Sequence, residues 1–222
     1  MAGGILETKK NTAIAPDAAD KWLAKQAAAE SIAAGVQEHI QVAQLLLQDA
    51  KLKVAVQKLA DALVESYAKG GKLIVMGNGG SAADAQHAAA EMLGKYMRER
   101  KALPAVALTA NSSIMSAIGN DYGYEKTFVR QLEGWMGKND VVVGISTSGN
   151  SPNVVEALEY AKKKGAFTAA LVGAKKCRLD AVADALVKVP SENTPRIQEM
   201  HIMLLHIVCG IVEEKLVEKG IA

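Results

Sequence analysis

The chain has 222 residues, half of them hydrophobic, which is enough for one substantial domain. Its 26 Lys plus Arg against 24 Asp plus Glu leave a net charge of +2, without the basic excess or dense basic stripe of a nucleic-acid-binding protein. Cys177 and Cys209 lack C-x-x-C spacing, exclude a disulfide framework and a zinc ribbon, and read as interior thiols of a reducing compartment.

Residues 1–16 mix Gly, Lys, Thr and Pro without periodicity and predict a loose arm, followed over 17–222 by a single domain. The arm has no continuous apolar run of the secretory kind, so a cytoplasmic protein is expected. Over 17–47, Trp22, Ala28, Ile32, Val36, Ile40, Ala43 and Leu47 return mostly every three to four residues, which is helical spacing. A second helix is predicted over 54–68, stopped by Gly70 and Gly71.

From Lys72 the pattern changes to short β-branched runs: KLIVM, PAVALT, DVVVGIS, FTAALVG and ALVKVP. None alternates strictly with polar residues, as befits strands of a parallel sheet covered on both faces. Helices are predicted between them over 81–97, 124–136 and 152–164, with a short one over 179–184 and a final one over 195–219. The run HIMLLHIVCGIVEE stays apolar for about a dozen residues, short of the roughly 18 to 20 that cross a bilayer, and reads as a buried helix with no membrane role. The fold class is therefore α/β, a three-layer sandwich.

Two strand-to-helix turns look built for an anion. In GNGGSAADAQH, Gly77, Gly79 and Gly80 precede Ser81, and Ser81 with Asp84 forms an S-x-x-D pair suited to capping the helix. The turn lacks the third glycine of a dinucleotide fingerprint and the lysine of a P-loop, so in isolation a tight structural turn explains it better than a ligand does. In STSGNSP, Ser146, Thr147, Ser148 and Ser151 surround Gly149 just before Pro152. Such a loop can wrap a phosphate with hydroxyl and backbone N–H groups. The alternative, Ser151 as a helix cap and the other hydroxyls as loop filler, leaves more hydroxyls than one cap demands.

His87 and Glu91 share one face of the helix after the first turn, among alanines that leave room for a ligand. A carboxylate there can accept a proton; the plainer reading is an exposed helix pair. In RIQEMHIMLLHIV, His206 is the stronger candidate because it lies inside the apolar run, whereas His201 stands nearer the charged start and is expected to face away. A satisfied core histidine is the competing reading. Gln198 and His206 are separated by roughly 12 Å of helix rise, too far for one metal ion on a straight helix. Either the chain is not regularly helical at Gln198, or a site takes residues from two subunits. His39 reads as structural or solvent-facing. Asn120 and Asp121 follow a short helical segment ending at Gly119; Asp121 suits a hydroxyl-rich ligand and Arg196 a carboxylate or phosphate, with surface roles equally open.

Together GNGGSAADAQHAAAE, GISTSGNSPNVVEA and TPRIQEMHIMLLHIV resemble the sugar isomerase (SIS) domain family, specifically its sedoheptulose 7-phosphate isomerases, over nearly the whole chain from the first long helix. The serine-rich loop alone marks a broad sugar-phosphate-binding superfamily; H-x-x-x-E and R-I-Q-E-x-H narrow it. The resemblance implies a five-stranded parallel sheet of flavodoxin-like topology and a homotetramer with active sites between subunits. It further implies conversion of sedoheptulose 7-phosphate to D-glycero-D-manno-heptose 7-phosphate through an enediol, the opening step toward the heptoses of bacterial surface glycans such as lipopolysaccharide. By the same resemblance Ser146, Thr147, Ser148, Ser151 and Ser81 hold the phosphate, and Asn78, Gly79, Asn120, Asp121, Glu91 and Gln198 contact the rest of the substrate. Glu91 is then the base and His206 the acid, and some members bind zinc at positions matching His87, Glu91, Gln198 and His206. The rivals are another phosphosugar isomerase or lyase on the same phosphate loop, and a non-catalytic member that binds a protein, such as a replication-initiation regulator. The combination of Glu91, Gln198 and His206 favours chemistry.

Overall fold

The computed structural model describes residues 18–222; the arm predicted over 1–16 and the side chain of Trp22 lie outside the described residues. These residues divide into two compact units, one ending at Glu38 and the other spanning His39–Ala222. Helix α1 (Ala18–Gln48) carries Ile32 and Val36 exposed in the first unit, while its last turns place Val42 and Leu46 in the core of the second. Helix α2 (Ala50–Ala68) starts earlier than its apolar periodicity indicates, because the Asp49 side chain accepts a hydrogen bond from the Leu52 N–H at 3.0 Å and caps it.

All five predicted strands form: β1 (Leu73–Gly77), β2 (Ala105–Ala107), β3 (Val141–Ile145), β4 (Phe167–Val172) and β5 (Ala185–Lys188). They build one parallel sheet in the order β2-β1-β3-β4-β5, with Ile74 level with Val106 on one side and Val142 on the other. Period two splits their side chains between two cores. Val75, Val143 and Leu171 pack with α2, α3 (Gly80–Leu93) and α7 (Thr194–Glu218), while Ile74, Val142 and Ala170 pack with α5 (Val129–Trp135) and α6 (Pro152–Lys163). The result is the expected three-layer α/β sandwich of flavodoxin-like strand order.

Several boundaries differ from the sequence reading. The helix predicted over 124–136 breaks into a 3-10 turn, Tyr124–Lys126, followed by α5, with the Thr127 hydroxyl donating to the Tyr124 carbonyl at 2.7 Å where the two meet. Helix α3 stops at Leu93 rather than 97, since Gly94 ends it and the Arg100 guanidinium takes its last carbonyls. The segment expected to end at Gly119 runs on to Tyr122 as α4 (Ser112–Tyr122), capped by Asn111, so Asn120 and Asp121 are helical. Residues 179–184 contribute only a 3-10 turn, Arg178–Ala181. Among the described residues no helix is long and apolar enough to cross a membrane.

Candidate active site

Strand β1 feeds α3 and then β2, whereas its neighbour β3 feeds α6 and then β4 on the opposite side. Their carboxyl ends diverge, opening the crevice where sheets of this order bind ligands. Both predicted turns lie there. In the first, Gly79 adopts φ +56°, open to glycine at no steric cost, and serves as the N-cap, so α3 begins at Gly80, ahead of Ser81. The expected Ser81–Asp84 capping pair is thereby displaced into the first turn, and no side chain caps the helix. Ser81 is buried, and the Asp84 Oδ2 atom is buried without a hydrogen bond among the described residues. Burial pushes the Asp84 carboxyl up to about 6, against the opposing pull of His87.

In the second turn the Ser146 hydroxyl lies 2.9 Å from that of Ser151 and 3.4 Å from that of Ser148. Ser151 is the N-cap residue of α6, yet its hydroxyl makes no cap bond and joins Ser146 instead. Capping of α6 therefore does not account for the Ser151 hydroxyl. Gly149 (φ +63°) lets the loop turn against Cys177, whose Sγ would stand 2.3 Å from a Cβ added there. Thr147 is half-buried and Ser148 exposed.

The two turns are joined. The Asn78 amide donates to Asn153 Oδ1 at 2.9 Å and accepts from Asn153 Nδ2 at 3.0 Å, while the Tyr124 hydroxyl donates to Asn78 Oδ1 at 3.0 Å. A cleft of about 560 Å³ opens beside them, lined by Asn78, Gly79, Thr109, Ser112 and Tyr124. Gln198 reaches this end as well: its amide occupies the space over Gly80, where a Cβ would meet Nε2 at 2.5 Å. Asn120 and Asp121 stand exposed on α4, joined to each other at 2.8 Å.

A second group of residues lies two turns further along α3. His87 Nε2 is 3.0 Å from Glu91 Oε1 and 3.2 Å from His206 Nε2, and the Tyr96 ring stacks on His206 with centroids 5.8 Å apart. His87 is thus more than a helix surface pair, because α7 brings a third group to it. The reading of the two histidines on α7 needs correcting. His201 faces inward, fully buried against the Val172 carbonyl at 3.3 Å, and His206 is the half-exposed one. Five residues turn an α-helix by about 140°, so the two cannot share the buried stripe of Ile197, Leu204, Leu205 and Val208. Helix α7 is continuous from 194 to 218, which removes the irregular-helix alternative and leaves Gln198 and His206 of one chain roughly 12 Å apart. Elsewhere His39 Nδ1 pairs with Glu199 at 2.8 Å, as its structural reading expects, and Arg196 also turns to Glu199, at 2.6 Å.

The ligand atoms of His87, Glu91 and His206 lie within 4.8 Å of one another. Two imidazole nitrogens and a carboxylate oxygen are a zinc donor set. Their neighbouring contacts, 3.0 and 3.2 Å, approach the edge of about 3.3 Å that ligands make round a tetrahedral ion with bonds near 2.0 Å. Sequence reading missed Asn153, Tyr124 and Tyr96. Asn153 had a signal, a lone amide in the apolar start of PNVVEAL; Tyr96, in a charged loop, had none.

The SIS domain family model matches residues 38–173, which hold four of the strands and both turns. The chain belongs to the SIS domain family. Within it this SIS domain protein groups with phosphoheptose isomerases and is an isomerase. It is 51% identical to the phosphoheptose isomerase of Geobacter sp. (strain M21) over 191 residues, 86% of this chain and 98% of that one. The structure of a phosphoheptose isomerase from Neisseria gonorrhoeae superposes with a TM-score of 0.78 at 40% identity, covering 83% of this chain and 98% of that one. One from Francisella tularensis gives 0.80 at 32% identity, covering 84% and 98%.

Proposed function

We propose that this SIS domain isomerase converts sedoheptulose 7-phosphate to D-glycero-D-manno-heptose 7-phosphate. The observation that carries the reading is the meeting of Glu91, His87 and His206 on two packed helices whose N-terminal ends stand at the hydroxyl-lined crevice. Ser146, Thr147, Ser148 and Ser151, with the first N–H groups of α6, take the phosphate. Gly79 and Ser81, at the start of α3, face the same anion. Asn78, Asn120, Asp121 and Gln198 hold the sugar hydroxyls.

Glu91 removes the proton from C1 of the ketose while His206, as imidazolium, gives one to the carbonyl oxygen on C2, producing an enediol. His206 then takes the proton from the C1 hydroxyl and Glu91 returns its proton to C2, giving the aldose with both groups restored. An imidazole suits both halves of that exchange because one ring nitrogen can give a proton and take one back.

His87, Glu91 and His206 of one chain would hold a zinc ion, with Gln198 of the partner subunit completing the set. The roughly 12 Å between Gln198 and His206 along one straight helix supports this sharing. Such an ion supplies charge stabilisation to an oxygen that becomes negative. A Glu91 carboxylate engaged with such an ion would be a poorer base, so the ion would organise the site or mark a resting arrangement. A homotetramer fits an apolar groove of about 470 Å³ lined by Ala43, Leu46, Leu47, Val56, Met203 and Ile207, of which Leu47 and Ile207 are exposed. Activity on a phosphorylated intermediate fits a cytoplasmic enzyme feeding heptose precursors of surface glycans.

The test is product identification after incubation with sedoheptulose 7-phosphate, with and without prior chelation. An aldoheptose 7-phosphate is expected; an unchanged ketose or a cleaved product overturns the reading. Full turnover by rigorously metal-free enzyme would reject an obligatory ion while leaving the acid–base assignment intact.

A further inference from the structure

The loop after α3, residues 94–101, is fastened to α7 by a buried ion pair that the chemistry above does not use. Glu213 accepts hydrogen bonds from three successive backbone N–H groups, those of Tyr96, Met97 and Arg98, at 2.9, 2.8 and 2.9 Å, and from Arg100 Nε at 2.9 Å. The Arg100 guanidinium in turn donates to the carbonyls of Glu91 at 2.8 Å, Met92 at 2.9 Å, Gly94 at 3.2 Å and Lys101 at 3.0 Å. Both side chains are almost wholly buried, at 1% and 3% exposure. Burial by itself would raise the Glu213 carboxyl, yet the three N–H groups and Arg100 hold it below the usual carboxylate range.

Buried ion pairs are a poor route to stability, since desolvation cancels much of their attraction and apolar residues can replace them. What this pair secures is position. Arg100 satisfies carbonyls that the C-terminal turn of α3 leaves open, and one of them belongs to Glu91 itself. Glu213 sets the backbone of Tyr96, whose ring then lies against Gly210, within 3.4 Å of where a Cβ would be, and stacks on His206. The pair thus acts on both members of the acid–base couple, through the main chain of one and the ring plane of the other.

We infer that Arg100 and Glu213 are positioning residues that fix Glu91 and His206 relative to each other, with Tyr96 as the link to the imidazole. The inference rests on the acid–base reading of Glu91 and His206. A misplacement of the order of 1 Å costs a reaction of this kind about 10- to 100-fold in rate without weakening binding made elsewhere.

The experiment compares Glu213→Gln, Arg100→Lys, Tyr96→Leu and Tyr96→Phe in the full-length protein, with Glu91→Gln as reference. Each is followed by kcat, KM, melting temperature and the imidazole proton shifts of His206. Glu213→Gln and Tyr96→Leu are expected to lose about 10-fold or more in kcat with KM within about threefold, and to move the His206 resonances as the stacked ring leaves. Tyr96→Phe, which keeps the ring, restores most of the loss. Should Glu213→Gln or Arg100→Lys fail to fold, Tyr96→Leu decides alone, because its side chain lies outside the buried pair. Normal kcat and unmoved His206 resonances in the folded variants overturn the inference, as does a loss seen only in KM. Normal turnover by Glu91→Gln overturns the acid–base reading instead, and the His206 shifts still report whether the pair sets that ring.

Discussion

Asn78 and Asn153, 75 positions apart in sequence, exchange two amide hydrogen bonds of 2.9 and 3.0 Å and so lock the end of β1 to the start of α6. Asn153 is buried and its side-chain amide also donates to the Thr127 hydroxyl, while its side-chain Oδ1 accepts from the Val154 N–H. Removing it leaves Asn78 half-satisfied beside the crevice. Asn153→Ala should cost about 1–3 kcal/mol in denaturant unfolding and raise KM for the phosphosugar about tenfold. An unchanged KM in a folded variant would mean that each turn keeps its shape without the other.

The serine loop offers a cleaner separation of binding from folding. Ser148 is exposed and among the described residues its hydroxyl serves only Asn150 and Ser146, so Ser148→Ala should leave the melting temperature within about a degree. Losing one hydrogen bond to a charged phosphate, worth about 1.5–3 kcal/mol, should raise KM by about 10- to 100-fold. Equal affinity of wild type and variant for the substrate would take the phosphate away from this loop.

Glu91→Gln keeps a side chain able to bond His87 and removes the base. We expect kcat to fall about 10²-fold or more, with KM nearly constant. Steady-state kinetics on sedoheptulose 7-phosphate measures it, and turnover within a few-fold of wild type would transfer the proton step to another group.

How much of this was legible beforehand depends on the length scale of the signal. The five strands were visible because burial on both faces writes itself as β-branched runs, and the serine loop because its hydroxyls outnumber what a cap uses. Helix ends were less visible: α3 stops early because Arg100, from beyond the helix, supplies the terminal partners, a contact no local pattern announces. The roles of His201 and His206 were inverted in burial for a related reason. Both sit in one apolar run, and only packing against β4 decides which faces in. Glu213 and Arg100 looked like ordinary members of charged stretches, since a buried pair joins segments 113 residues apart.

Asp84 ties stability to pH in the direction opposite to an ordinary carboxylate. Its folded value, about 6, lies above the ordinary aspartate value of 3.8, so the folded state favours the protonated form. Its contribution is present below about 4 and is lost as pH rises through about 6. Asp84→Asn should therefore be close to neutral at pH 4 and stabilising at pH 8, by about 1 kcal/mol after allowance for a half-exposed site. Melting temperatures of the two proteins across that range test it; a constant difference would mean that the carboxyl titrates normally.

His201 works in the other sense. Burial lowers it from 6.5 to about 4, against a modest opposing effect from the hydrogen bond it donates to the Val172 carbonyl, so it folds neutral. The unfolded chain binds a proton below 6.5 that the folded one refuses until about 4, and stability held above 6.5 drains away across that interval. The full difference corresponds to about 3 kcal/mol for a group this buried. His201→Leu gives up the bond to Val172, so it should be less stable than wild type at pH 7.5 by about 1–2 kcal/mol. That deficit should shrink, and close or reverse, as pH falls toward 4. Denaturant unfolding at several pH values, read as the difference between the two proteins, isolates this histidine from the other groups that titrate with it. A gap that stays constant from pH 7.5 to 4.5 would mean that His201 is protonated as easily inside the fold as outside it.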